Sequence, residues 1–248
     1  MILSEAQQAL CKQLNINLTD VTTGNNSLFT LAEITDFVNG GVKRAWDYKP
    51  WTFTEKTYQM SVPSNFNGYI DYPTTFEDES VYRLEVPAIV TGNAEFEKKI
   101  FADYQKWFSD YPTDTSSIWT EHERFIFFNK NAVTAGQEVD VSGKLRAPTL
   151  VNPTDLLPFS PTSDNQENSG NNAIILLALS DVLASAKKKD MPGSAAQEKR
   201  AFTMLDIIWK PIGERRAQKN SQNRPFFNTT DMFNSRRSGR NQTPTGNF

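Results

Sequence analysis

Residues 171–189, NNAIILLALSDVLASAKKK, constrain the fold more than any other stretch. Ile174, Ile175, Leu176, Leu177, Leu179, Val182 and Leu183 cover most of the circumference of a helix. A helix apolar nearly all round must be enclosed by other elements or by a subunit neighbour. The chain is 248 residues long, enough for one large domain or two modest ones around it. Asn171 or Asn172 is placed to cap this helix, and Lys187–Lys189 fall where the helix dipole favours cations. Met191-Pro192-Gly193 then breaks the chain. Ser194 with Gln197 has capping-box spacing, and Phe202, Leu205, Ile208, Trp209 and Ile212 mark a second helix. The two form an expected αα-hairpin, which Pro211 ends or kinks.

The amino-terminal part supplies further helical faces. Leu3, Ala6, Leu10 and Leu14 recur at helical spacing over residues 1–14, and residues 17–27 read as a loop. Thr30 and Glu33 then form a capping box. Leu31, Ile34, Val38, Val42 and Ala45 follow at helical steps, with Trp46 adjoining and Pro50 ending the element. Gly40-Gly41 inside this pattern costs about 1 kcal/mol per Gly relative to Ala. Tertiary packing must offset that cost, or another backbone sits close.

Between these helical regions the period changes. Residues 51–88 read as strands, with a turn over 64–68, and RFIFFN and EVDVSGKLRAP read as two more. Residues 94–111 return to helical period, with Phe96, Ile100, Tyr104, Trp107 and Tyr111 on one face. Residues 147–172 contain four prolines, Pro148, Pro153, Pro158 and Pro161, and form an extended, stiff connection. The expected class is α+β: a helical bundle of residues 1–50 and 149–216, a β-rich insertion over 51–148 with one helix, and an extended C-terminal arm over 217–248.

Charge separates the arm from the body. Residues 217–248 hold Lys219, Arg224, Arg236, Arg237 and Arg240 against Asp231, a net of +4, while the remainder carries −7. The arm is polar and interrupted by Phe226, Phe227, Met232 and Phe233, too little apolar surface to fold alone.

Several chemistries lack their parts. One cysteine, Cys11, excludes an internal disulfide, and one histidine, His122, excludes a His-rich metal site. Glu121-His122-Glu123 are neighbours whose side chains diverge on a strand or turn, so they read as a solvated loop. Glu77-Asp78-Glu79 lack the alternating ligands of a calcium loop and read as a solvated turn. Nothing brings Asp71 and Asp155 together as paired carboxylates. Neither a P-loop pattern nor GxSxG is present. Cys11 reads as a small apolar residue, and the five tryptophans as core packing before a sugar or base site. No enzyme, cofactor or metal is expected. An apolar run long enough for a membrane span is absent, and the opening MILSEAQQAL carries an early Glu without a basic stretch, so neither a span nor a signal peptide is expected.

Three segments carry a family resemblance. VNGGVKRAWDYKPWTF at 38–53 closes a long helix on an aromatic corner. LRAPTLVNPTDLLPFSP at 145–161 is a Pro- and Asp-rich strap, and 171–210 is a helical hairpin. In this layout the chain resembles the head–tail adaptor proteins of tailed bacteriophages, especially short-tailed ones. The resemblance implies a non-catalytic virion protein at the head–tail neck, assembled in the host cytoplasm. It implies a homo-oligomeric ring, commonly of twelve copies, below the portal protein. Such a ring binds the portal and the next tail or neck ring protein, and double-stranded DNA passes its lumen without specific binding. An acidic body suits that passage, because contacts to several phosphates make release slow. In this reading Phe226, Phe227 and Phe233 fill pockets on the portal, while Arg224, Arg236, Arg237 and Arg240 meet acidic groups. The alternative is a non-catalytic tail or baseplate protein that binds a host surface glycan through Trp and Tyr of the strand region.

Overall fold

The computed structural model describes residues 1–25, 28–86, 94–160 and 164–222. The chain divides into two compact units, Met1–Leu205 and Asp206–Phe248. Six α-helices and two four-stranded sheets are present among the described residues, a mixed α+β fold.

In chain order the elements are α1 (Leu3–Gln13), α2 (Leu18–Thr22), α3 (Leu31–Tyr48), β1 (Glu55–Ser61), β2 (Tyr69–Asp71), β3 (Phe76–Val86), β4 (Ala94–Glu95), β5 (Glu97–Lys98), α4 (Phe101–Asp110), β6 (Ile118–His122), β7 (Phe125–Phe128), β8 (Glu138–Leu145), α5 (Asp164–Ala184) and α6 (Met191–Gln222). No helix among the described residues is long and apolar enough to cross a membrane.

The apolar helix is enclosed as its composition requires. Ala173 through Leu179 and Val182 of α5 are buried all round apart from neighbouring polar positions, and α5 packs on α1 and α3. The Thr30–Glu33 capping box closes both ways at the start of α3. Gly41 explains the tolerated Gly pair. A Cβ built there would sit 2.5 Å from the Ile174 carbonyl oxygen and 3.1 Å from the Ala178 nitrogen. The backbones of α3 and α5 touch, and only Gly fits the contact.

The strands form a sandwich inserted between α3 and α5. One sheet runs β1-β8-β3-β4, entirely antiparallel. The other runs β2-β7-β6-β5, with β5 parallel to β6. Alternate residues of both sheets meet in one core that includes Phe76, Leu84, Trp119, Ile126, Phe128 and Val141. The β8 alternation is partly as expected: Val139 and Val141 are buried, but so are Ser142, bonded to Thr57, and Gly143, beneath the Phe76 ring.

The strap is pinned at several points. Asn39 of α3 donates to the Leu150 carbonyl at 3.0 Å and accepts from the Leu150 amide at 2.8 Å. The Asp155 carboxylate accepts from the Val151 and Asn152 amides. Phe159 is buried against Trp51 and Phe53, and its ring fills the space a side chain at Gly170 would need.

Several local expectations are corrected. Residues 18–22 are not loop but a short helix, because the Asn17 side chain caps it through the Thr19 amide. Residues 94–98 pair as β4 and β5, so the helix begins only at Phe101. Phe96 belongs to the sandwich core, whereas Ile100 and Tyr111 are 68% and 59% exposed, so no single helical face joins them. Strand pairing, through the Phe96 amide to the Leu84 carbonyl, outweighs a periodicity of five residues. Helix α5 begins at Asp164, so Asn171 is a buried residue within it and not its cap. Lys187–Lys189 lie beyond its end, where Lys187 bridges to Glu33 of α3. Asp190, not Ser194, caps α6 by accepting from the Gly193 amide at 2.9 Å. Ser194 instead meets Ser180 of α5 at 3.0 Å in the buried helix contact. Helix α6 continues through Pro211 to Gln222. The change in composition near residue 218 therefore falls inside a helix.

Candidate functional site

The residues expected to bind a partner, Arg224, Phe226, Phe227, Phe233, Arg236, Arg237 and Arg240, lie outside the described residues. What the described chain offers is concentrated on the sandwich.

Glu121-His122-Glu123 is not a solvated loop. Glu121 and His122 end β6, and Glu123-Arg124 form the two-residue turn into β7, both at positive φ as a type I′ hairpin requires. Strand alternation turns Glu121 inward and His122 outward. The Glu121 side chain is only 6% exposed. It pairs with Lys98 of β5 and accepts from the Tyr72 hydroxyl at 3.1 Å and the Val81 amide at 3.2 Å. The same Tyr72 proton is shared with the Glu77 carbonyl at 2.9 Å, and the hydroxyl oxygen accepts from the Ser80 amide. Burial and the neighbouring Glu121 carboxylate push the Tyr72 phenol up, although the bonds from Ser80 oppose this. His122 stacks on Phe101 of α4 with ring centroids 4.0 Å apart.

Glu77-Asp78-Glu79 is not a free turn either. It lies in β3 where the register to β8 shifts, with Glu79 at positive φ. Glu77 pairs with Lys144, and Asp78 pairs with both Arg124 and Arg146. Glu79, Glu123 and Arg124 line one cavity of about 240 Å³ beside Tyr72 and His122. Of its carboxylates, Asp78 pairs with Arg124 and Arg146, and Glu121 with Lys98 of β5. Among the described residues no group of three or more His, Cys, Asp or Glu side chains is placed to hold a metal ion.

The remaining sequence candidates do not converge. Cys11 is a buried residue of α1, and burial pushes its thiol up. Asp155 serves the strap, while Asp71 sits on the outer face of β2. Trp46, Trp51 and Trp119 are buried, and each indole N–H donates to a backbone carbonyl: Leu145, Ala45 and Phe96 respectively.

The outer face of the second sheet was missed by sequence reading. Tyr69, Phe125 and Phe127 stand together there, with centroids 5.3–6.3 Å apart, and Phe101 of α4 extends the row at 5.4 Å from Phe127. Three residues after Phe101, α4 buries Tyr104, whose phenol is pushed up to about 12 by desolvation. The alternation of YID and FIFF carries a signal for this row, since Tyr69, Phe125 and Phe127 fall on one face once β2 and β7 pair. The pairing itself is not written in either segment. No protein-family model matches the chain and no curated protein matches it.

Proposed function

We propose that the chain is a structural subunit of a tailed-phage neck, a ring below the portal that joins capsid to tail and extends the DNA channel. The observation that carries this reading is the order of parts. A β-sandwich interrupts a helical region whose two flanking helices, α3 and α5, touch at backbone distance. A pinned strap leads into the helical hairpin, and a basic segment with interspersed Phe follows. That order supports the likeness to head–tail adaptors. In this reading the helices form the adaptor bundle and make the ring contacts, the sandwich meets the next tail component, and residues 223–248 grip the portal. An acidic body around passing DNA avoids multiple phosphate contacts and their slow release. The protein does its work by holding others together and carries out no catalysis.

The test mixes the full chain, and a version ending at Gln222, with the portal protein of the same phage. Native mass spectrometry and electron microscopy should show the full chain decorating the portal ring. The shortened chain should keep its melting temperature and lose the interaction. Reversing Arg236, Arg237 and Arg240 to Glu should weaken binding at unchanged stability. A shortened chain that saturates the portal with unchanged affinity overturns the role of the segment. A stable trimer indifferent to portal overturns the neck assignment.

A further inference from the structure

A cleft of about 380 Å³ opens where the end of β1, the 63–68 turn and β2 meet. Ser61, Asn65, Phe66, Asn67, Tyr69 and Asp71 line it. We propose that it binds a neutral oligosaccharide. This inference stands on the sandwich alone and does not depend on ring assembly.

Two rings at the cleft are held in place. Phe66 stacks on buried Phe128 with centroids 4.6 Å apart. Tyr69 is 44% exposed, yet Phe125 braces it edge-on at 5.3 Å and Phe127 at 5.8 Å. A fixed aromatic ring offers a negative face to polarised C–H groups and loses little entropy on binding. The pyranose ring presents such groups on one side.

The polar lining fits the rest of a sugar. Asn65 and Asn67 each bring two donors and an acceptor, Asp71 brings paired acceptors, and the Ser61 and Tyr69 hydroxyls can do both. None of these side chains is engaged in a hydrogen bond or ion pair within the described chain. Thr57, Asn129 and Tyr72 of the same sandwich are instead bonded, to Ser142, to the Asp114 and Ser116 carbonyls, and to the Glu77 carbonyl respectively. Amide and carboxylate groups that can donate and accept in pairs match vicinal hydroxyls. Among the described residues no cation lines the cleft, and Asp71 makes it negative, which disfavours phosphate-bearing and acidic ligands. An apolar peptide anchor would need a deeper dry pocket than this one, where polar side chains form most of the rim.

A few solvent-exposed hydrogen bonds and one exposed ring support weak binding at a single site, with Kd on the order of 1 mM. Saturation-transfer NMR on the full chain, with maltohexaose and with tetra-N-acetylchitotetraose as probes, reads this range. At least one probe should show transfer, strongest at ring C–H protons. Tyr69→Ala should weaken binding roughly tenfold or more, and Asp71→Asn and Asn67→Ala, exposed changes that leave the core intact, should each weaken it several-fold. Absence of transfer from both sugars at about 10 mM, far above the expected Kd, overturns the proposal. So does transfer that survives Asp71→Asn and Asn67→Ala unchanged, or preferential binding of a sulfated oligosaccharide.

Discussion

Where α3 meets α5, a Cβ on Gly41 would press into the Ile174 carbonyl, and the two backbones are in contact. Where the two sheets meet, Trp119 and Phe128 fill the space between them. The helices thus gain their fit by removing side chains and the sandwich by enlarging them. The charged contacts differ in the same sense. Between the helices they lie at the margin: Arg44 of α3 pairs with Asp181 of α5 and Glu198 of α6, and its guanidinium covers the Phe202 ring. In the sandwich the Glu121 carboxylate sits at the core boundary with three partners. Close backbone approach leaves no room for buried charge, while large side chains leave gaps that a carboxylate and a phenol can share.

That contrast can be broken by substitution. Trp119→Ala opens the sandwich core and frees the Phe96 carbonyl, and should cost about 4 kcal/mol. Its effect on near-ultraviolet circular dichroism should exceed that on helical ellipticity. Gly41→Val should cost about 3 kcal/mol, because the opposing atoms are backbone and cannot rotate away. Gly143→Ala is the matching change in the sandwich, where a Cβ meets the Phe76 ring at 2.6 Å. A ring can shift, so the cost should be about 1 kcal/mol. Equal melting losses from the two Gly variants would abolish the distinction drawn between the regions.

Glu121→Gln tests the buried network and should cost about 2 kcal/mol, since Lys98 loses its charge partner and the amide must reorient to accept from Tyr72 and Val81. Urea denaturation should show the loss with an unchanged m-value. Smallest is the effect of Lys187→Ala. The hydrogen bond from Lys187, with that from the Thr30 amide, holds the Glu33 carboxyl below the ordinary carboxylate range. Glu33 therefore contributes fully above its unfolded value, and the contribution is lost as pH falls through the folded one. Removing Lys187 should bring the carboxyl back toward its ordinary value in an NMR titration. Asp181 runs in the opposite sense: burial holds its carboxyl above the ordinary range despite Arg44. Its contribution is complete below the unfolded value and is lost as pH rises through the folded one. Asp181→Asn should flatten the pH dependence of stability in the acid range, and an unchanged profile would remove Asp181 from that account.

Much of this is legible in the sequence. The capping box at Thr30, the enclosure of α5 and the need for a close neighbour at Gly40-Gly41 follow from side-chain chemistry and helical period alone. Local hydrogen bonding and amphipathic pattern are properties of a short segment, so a short segment reveals them. Phe96 shows where that ends. It sits on a plausible helical stripe, but its amide bonds to Leu84 of β3, twelve residues away in sequence and adjacent only in the fold. Glu121 shows the same for charge. Its neighbours in sequence suggest a solvated acidic loop, whereas Lys98 of β5 and Tyr72, just after β2, make it a buried acceptor.

Side-chain pattern alone requires one enclosed helix, strands between helical regions, and an acidic body with a basic end. That α3 and α5 touch at Gly41, that Glu121 is a buried carboxylate, and that Tyr69, Phe125 and Phe127 share one face emerges only in the folded chain. The difference is one of range. Turn chemistry and periodicity act over a few residues, while strand pairing and burial join residues far apart in the chain, and those contacts set which charges are paired and which rings meet solvent.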